Sequence, residues 1–175
     1  MLSRSRSVPP KKLEVVVDAD VARSSGETEH PISSSCRRAL ILMLDNQHYF
    51  VACPQVRAEW GKHASGFAKK WFASMIARKQ VAFVTASPDF ATALAQIDLN
   101  DKAKRIAQKD AHLIDAARAK GLFVTSRDDN ARTSIRGISA LNDLCRGIAW
   151  VNPVSEAEIL EACFTSSRSK APTLA

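Results

Sequence analysis

The stretch Leu13-Glu14-Val15-Val16-Val17-Asp18-Ala19-Asp20 decides the fold class of this chain. Its run of β-branched residues predicts a buried strand, and Asp18 follows that strand directly. An open parallel sheet collects its chemistry at the carboxyl ends of its strands. Asp18 is therefore the first candidate for a functional residue.

Working outward from this stretch, short apolar runs alternate with longer amphipathic segments. This alternation predicts a three-layer α/β/α fold around a central parallel sheet of about five strands, covered on both faces. The predicted strands are 13–17, 48–53, 81–85, 122–126 and 148–151. The predicted helices are 32–46, 54–64, 66–79, 88–97, 101–120, 129–144 and 155–163.

The 175 residues, 46% of them hydrophobic, suit a single domain, which we place at 13–164. The flanking segments 1–12 and 165–175 are polar and are predicted to be disordered tails. The net charge of +7 lies mostly on these tails, and the domain between them is nearly neutral. The tails carry six cations and no acid: Arg4, Arg6, Lys11, Lys12, Arg168 and Lys170.

The chain contains no apolar run of about 18 residues and no apolar leader, so we expect a cytoplasmic protein without a membrane span. The four cysteines are far apart and form no CxxC motif. This spacing argues against a structural zinc site and against disulfides.

One acid interrupts an apolar helical stripe. Ile106, Leu113 and Ile114 share a face of the helix predicted at 101–120, and Asp110 falls within it. A carboxylate there must be paired, protonated or bound to a cation. Asp115 lies on the face that carries Lys104 and Arg118, and is expected to be a solvated ion-pair partner.

Two further acids complete the candidate set. Glu59 shares a stripe with Val56 and Trp60, so it is predicted to point inward. Asp128 and Asp129 follow the predicted strand 122–126. Asp129 is expected to cap the next helix, which leaves Asp128 for the site.

In this order and spacing, the four acids resemble those of the PIN-domain ribonucleases, a fold found in many bacterial toxin nucleases. The resemblance covers about residues 13–153. Two further positions match the family pattern, namely Asp20 after the first acid and Ser126 before the fourth. The matching segments are VVVDADV, PQVRAEW, KDAHLIDAARAKG and VTSRDD.

The resemblance implies a divalent-metal site and hydrolysis of phosphodiester bonds in RNA. Four clustered carboxylates repel one another, and Mg²⁺ or Mn²⁺, which prefer oxygen ligands, would relieve that repulsion. Asp18 and Asp128 are expected to be direct ligands and Asp110 a ligand or water-held partner. Glu59 would orient the attacking water or complete the metal shell. Ser126 is open to three roles: fixing a carboxylate, touching a phosphate or capping a helix.

The same resemblance implies partners. Family members commonly form homodimers, and the toxins among them bind an antitoxin protein. This chain is longer than the compact toxins and has an additional basic helical region. Its residues Lys69, Lys70, Arg78 and Lys79 are candidate RNA contacts.

Two other interpretations remain open. A strand followed by Asp18-Ala19-Asp20 also resembles a phosphatase of the haloacid dehalogenase type, in which Asp18 would be the nucleophile. Thr85 would then bind phosphate, and Asp128 and Asp129 would be late metal ligands. The other alternative is a PIN-like module that binds RNA or a protein without cutting.

Overall fold

The computed structural model describes residues 11–98, 101–166 and 170–175. Five strands form one all-parallel sheet in the order β3-β2-β1-β4-β5. Each strand lies within the range that the sequence predicted. The strands are Glu14–Val17 (β1), Tyr49–Ala52 (β2), Val81–Phe83 (β3), Phe123–Thr125 (β4) and Ala149–Val151 (β5).

Nine α-helices in the described part of the chain connect and flank these strands. They are Ala19–Ser24 (α1), Pro31–Asp45 (α2), Pro54–His63 (α3), Gly66–Ala77 (α4), Asp89–Gln96 (α5), Asp101–Ala119 (α6), Asp129–Arg136 (α7), Asn142–Cys145 (α8) and Ala157–Thr165 (α9). A 3-10 turn, Ser139–Leu141, separates α7 from α8.

The strand order creates a switch point between β1 and β4. The chain adds β2 and β3 on one side of β1, then crosses back to add β4 and β5 on the other. Val16 pairs with Val124 and Val17 with Thr125 across this boundary. In open parallel sheets, the crevice at the carboxyl end of such a boundary is the usual position of a ligand.

Helices cover both faces of the sheet, as predicted. Right-handed crossovers place the connections on opposite faces on either side of the switch point. On one face α2 packs against α4 and α9, and on the other α6 packs against α5 and α7. The core is continuous through all three layers and includes Phe50, Trp150 and Phe164.

Local chemistry explains several helix ends. Proline occupies the first position of α2 and of α3, where its missing N–H costs no helical hydrogen bond. Gly121, after α6, has φ +92°, and a Cβ there would lie 2.0 Å from the carbonyl oxygen of Glu14. Only glycine permits this close approach of the α6–β4 turn to β1.

Two helix predictions were wrong. The short helix α1 was missed, because six residues are too few to establish a periodic pattern. The single helix predicted at 129–144 ends at Arg136, and the chain continues through the 3-10 turn into α8. Gly137, which follows Arg136, lowers the helical propensity at that point.

The predicted disorder of residues 165–175 is wrong for the last residues of the chain. Thr173 forms an antiparallel bridge with Ala149 at the edge strand β5. Leu174 is buried, and its N–H donates to the Ile148 carbonyl oxygen over 2.8 Å. The tail predicted at 1–12 lies mostly outside the described residues, as do Arg4, Arg6 and Arg168.

No helix in the described residues is long and apolar enough to cross a membrane. All four cysteines are buried and free.

Candidate functional site

The candidate site lies at the carboxyl ends of β1 and β4. Asp18 follows β1 immediately, and its N–H donates to the Thr125 carbonyl oxygen at the end of β4 over 3.0 Å. This hydrogen bond holds the two strand ends side by side at the switch point. The sequence prediction of Asp18 at this edge of the sheet is confirmed.

Ser126 connects the first and fourth acids of the set. Its hydroxyl donates to Oδ2 of Asp18 over 2.7 Å and accepts the N–H of Asp128 over 3.1 Å. The serine is fully buried and Asp18 is 6% exposed, so the contact is shielded from water. Of the three roles left open for Ser126, the structure shows the one in which it fixes a carboxylate.

Asp20 lies in the first turn of α1, close to Asp18. Asp18 caps this helix by accepting the N–H of Asp20 over 3.3 Å. Asp20 itself accepts the N–H of Arg127, with its nearer oxygen at 3.2 Å. Burial, followed by the neighbouring charge of Asp18, raises the pKa of Asp20 to about 7.

Asp110 points inward from α6, as its position in the apolar stripe predicted. The residue is 4% exposed, and its buried Oδ2 has no hydrogen-bond partner within the described residues. Burial, and then the charge of Asp18, raises the pKa of Asp110 to about 7. A buried carboxylate oxygen without a donor is costly, and a bound cation would relieve that cost.

Asp128 lies in the site and also caps α7. Its Oδ1 accepts the N–H of Ala131 over 2.8 Å, and its Oδ2 is 3.8 Å from Nζ of Lys109. The prediction that Asp129 caps this helix was wrong. Asp129 instead accepts a hydrogen bond from Asn152 Nδ2 and pairs with Arg132, because the helix begins one residue earlier than its polar pattern suggested.

Glu59 reaches the site from α3, with a side chain that is about one-third exposed. Its Oε2 lies 3.1 Å from Nε2 of His112, a residue that is 8% exposed. Sequence reasoning set His112 aside, because a lone histidine on a helix is usually structural, although it flanks Asp110. The structure brings His112 to Glu59 because α6 contacts α3 as well as the sheet.

The predicted position of Asp115 was also wrong. It is 4% exposed and accepts the N–H groups of Phe90 and Ala91 at the start of α5. Every residue from Asp110 to Ala117 is buried, so this part of α6 has no solvated face. Helical periodicity therefore cannot assign a polar residue such as Asp115 to a solvated face in this part of α6.

The acids surround one open cavity of about 280 Å³, which we call the acid cavity. Cations line it together with the carboxylates, which the sequence had not indicated. The residues in its wall include Asp18, Asp20, Glu59, Asp110, Asp128, Arg23, Lys62, His63 and Lys109.

The four cations predicted to contact RNA do not line this cavity. Lys69 and Lys70 are exposed near the start of α4, and Lys70 lies 3.8 Å from Glu27. Arg78 and Lys79 follow the end of α4 and precede β3, which places them at the amino edge of the sheet, opposite the acids. RNA contact by these four residues remains a prediction.

The donor chemistry fits a hard divalent cation, since every inward acid offers carboxylate oxygens. The orphaned oxygen of Asp110 and the raised pKa values of Asp20 and Asp110 indicate that burial, and then the nearby carboxylates, disfavour the ionised forms of these acids in the absence of a cation. No three His, Cys, Asp or Glu side chains in the described ranges are already arranged around one metal position.

Comparison of the chain with protein-family models, curated proteins and solved structures found no match. The site is interpreted from its own residues and from the topology of the sheet.

Proposed function

We propose that this chain is a divalent-metal-dependent ribonuclease of the PIN-domain type that hydrolyses phosphodiester bonds in RNA. The observation that carries the proposal is the convergence of five acids from four separate parts of the chain on one cavity at the switch point. Two of them, Asp20 and Asp110, have pKa values raised to about 7. Such a perturbed acidic cluster in a cleft is typical of a functional site.

Asp18, Asp110 and Asp128 would hold Mg²⁺ or Mn²⁺, with Glu59 completing the shell and Asp20 supporting it. When bound, the cation would polarise the scissile phosphate and lower the pKa of a bound water. Ser126 keeps Asp18 and Asp128 in register through its two hydrogen bonds. An outer hydrogen bond of this kind orients a ligand and tunes its basicity.

The remaining groups in the cavity suit a phosphodiester substrate. Arg23, Lys62 and Lys109 line the same wall as the acids and would attract the RNA backbone. Glu59 faces the cavity beside His112. As the alternative to completing the metal shell, it would orient the attacking water and accept its proton. The cavity thus contains cations that would attract the RNA backbone and a carboxylate that is a candidate general base.

The geometry offers less support to the phosphatase alternative. Thr85 follows β3, two strands away from β1, and lines a different cavity from Asp18. Asp129 is engaged by Asn152 and Arg132. One observation favours the phosphatase: Lys109 lies 3.8 Å from Asp128, and a site of that type would need a lysine.

A toxin role with an antitoxin partner, and assembly as a homodimer, are further proposals that rest on the family resemblance alone. A cytoplasmic location is also a proposal, and it rests on the sequence prediction and not on the resemblance.

The test is cleavage of a single-stranded RNA oligomer by purified protein, with Mn²⁺ or with EDTA. We expect Asp18→Asn, Asp110→Ala and Glu59→Ala each to lower Mn²⁺-dependent cleavage. For Asp18→Asn the loss should be roughly 100-fold or more, because removing even an outer partner of a metal ligand typically costs about 10–100-fold. Asp45→Asn, an exposed change at the end of α2, is the matched control.

A phosphomonoester assayed in parallel separates the competing functions. Monoester turnover that is insensitive to Glu59→Ala, together with a phosphorylated Asp18, would establish the phosphatase instead. RNA binding without cleavage of either substrate would indicate a non-cleaving module.

A further inference from the structure

A second cavity opens beside the acid cavity at the same edge of the sheet. We call it the side cavity, and its volume is about 280 Å³. It lies where β2 and β3 end, between the start of α3 and the buried part of α6. The residues of its wall that matter here are Pro54, Gln55, Thr85, Pro88, Gln108 and His112.

The wall of the side cavity combines apolar surface with uncharged hydrogen-bonding groups. Pro54 and Pro88 contribute apolar surface, while Gln55, Thr85 and Gln108 contribute amides and a hydroxyl. No lysine or arginine of the described residues lines it. This composition suits a small, uncharged ligand with hydrogen-bonding groups, and does not suit a phosphate.

The single acid in this wall is already satisfied. Asp115 accepts the N–H of Phe90 over 2.7 Å and the N–H of Ala91 over 3.2 Å. Its charge therefore faces the start of α5, a position where a helix stabilises an anion. The side cavity does not need a cation to neutralise it.

His112 provides an independent indication of a ligand. It is more than nine-tenths buried, it forms part of the side-cavity wall, and its Nδ1 has no hydrogen-bond partner within the described residues. Buried polar atoms in proteins are nearly always hydrogen-bonded. A ligand that reaches this nitrogen would supply the hydrogen bond that the protein does not.

His112 also joins the two cavities. Its Nε2 lies 3.1 Å from Oε2 of Glu59, and Glu59 lines the acid cavity. The Glu59–His112 pair therefore forms a shared wall between a site for a phosphodiester and a site for an uncharged ring. A nucleotide carries both chemical groups within one unit.

We propose that the side cavity binds one unstacked nucleobase of single-stranded RNA while the adjoining phosphodiester occupies the acid cavity. The inference rests on the proposed ribonuclease function and deepens it, because it assigns a position for one base of the substrate beside the phosphodiester site. Sequence-specific recognition of RNA usually targets bases that are splayed out in this way. Base edges would meet Gln55, Thr85, Gln108 and His112.

The test compares base-bearing RNA with RNA that lacks bases. Binding of short single-stranded oligomers is measured by fluorescence anisotropy in EDTA, so that no metal-dependent cleavage takes place. The set contains one oligomer for each of the four bases and one abasic oligomer of equal length. All five carry the same phosphates, so the affinity ratio to the abasic oligomer isolates the contribution of the base.

We expect at least one base-bearing oligomer to bind wild-type protein roughly 10-fold or more tightly than the abasic oligomer, since about two net hydrogen bonds to a base edge supply a factor of this order. Gln108→Leu and Thr85→Val, both at exposed positions, should each bring this ratio towards one. Gln96→Leu, at an exposed position on α5 outside the side cavity, should leave it unchanged. The His112 ring resonances should shift with base-bearing RNA and not with abasic RNA.

Equal affinity for base-bearing and abasic oligomers, or no binding of any oligomer, would overturn the inference. A ratio that both side-cavity variants retain would also overturn it. A base preference without Mn²⁺-dependent cleavage would support the side cavity and refute the ribonuclease. Cleavage without any base preference would support the ribonuclease and refute base binding in the side cavity. The failure of one proposal can therefore be distinguished from the failure of the other.

Discussion

Among single residues, Asp110 and Asp115 on α6 are equally buried, but their carboxylates differ in hydrogen bonding. Asp115 places both oxygens on backbone N–H groups, whereas Oδ2 of Asp110 has no partner among the described residues and lies under the influence of Asp18. A carboxylate that accepts hydrogen bonds stabilises the fold, and an unpartnered one near like charge destabilises it. Substitutions at the two positions should therefore change stability in opposite directions.

The metal-free protein should lose stability as pH rises towards 7. Asp110 has a pKa of about 7 in the folded state against an ordinary value of 3.8, so between these values the folded chain holds a proton that the unfolded chain releases. The free energy of unfolding therefore falls by up to about 1.4 kcal/mol per pH unit because of this group, and the loss is complete above its folded pKa. Asp20 contributes in the same direction.

We accordingly expect Asp110→Asn to stabilise the metal-free protein above pH 7, with the gain vanishing as pH falls below 4. Urea unfolding in EDTA across this range measures the effect. Asp45→Asn serves as the control, because that residue is exposed on α2. A constant difference between Asp110→Asn and wild type across the pH range would show that Asp110 does not titrate as described.

At the scale of elements, α6 organises half of the molecule. It packs against α5, α7, α3 and the central strands, so it presents Asp110 to the site and Asp115 to the start of α5. The N-cap residue of α5 is Pro88, which provides no side-chain cap, and Asp115 supplies that function from a distant part of the chain. The junction of α5 with α6 therefore depends on one carboxylate.

We expect Asp115→Ala to lower the free energy of unfolding by about 1–2 kcal/mol, the usual cost of losing a helix cap. Asp115→Asn keeps one acceptor oxygen and should cost less. Urea unfolding of both variants without RNA or metal gives the comparison. If Asp115→Ala were as stable as wild type, the two backbone hydrogen bonds would have no energetic role.

At the scale of the whole molecule, the C-terminus belongs to the domain. Residues 171–175 extend the sheet edge beyond β5, and Leu174 is buried in the core. An experiment on the electrostatic role of the basic tails must therefore spare this segment. Otherwise a loss of RNA binding would report a damaged fold.

Deleting residues 171–175 should destabilise the protein by about 1.5–3 kcal/mol, the value expected for exposing one buried leucine. Leu174→Ala in the full chain should reproduce most of this loss, and thermal unfolding measures both. The exposed substitution Thr173→Ser is the control. An unchanged melting temperature after the deletion would mean that the bridge to Ala149 contributes nothing to stability.

Much of the fold and the core of the candidate site followed from the sequence alone. Alternation of apolar runs predicted all five strands, and a strand followed directly by Asp18 placed that acid at the sheet edge. The stripe positions of Asp110 and Glu59 predicted that both point inward, and both line the acid cavity. These features are local, because strand and helix periodicities are set by the backbone over a few residues.

Only the tertiary structure decided the features that join distant segments. It paired His112 with Glu59, buried Asp115 under α5 and brought Lys109 to the acid cavity. It also made Asp128 the cap of α7 and attached the C-terminus to β5. A single sequence shows which side of an element is apolar, but α6 is enclosed on nearly all sides. Which neighbour each of its side chains meets is therefore determined by packing and not by periodicity.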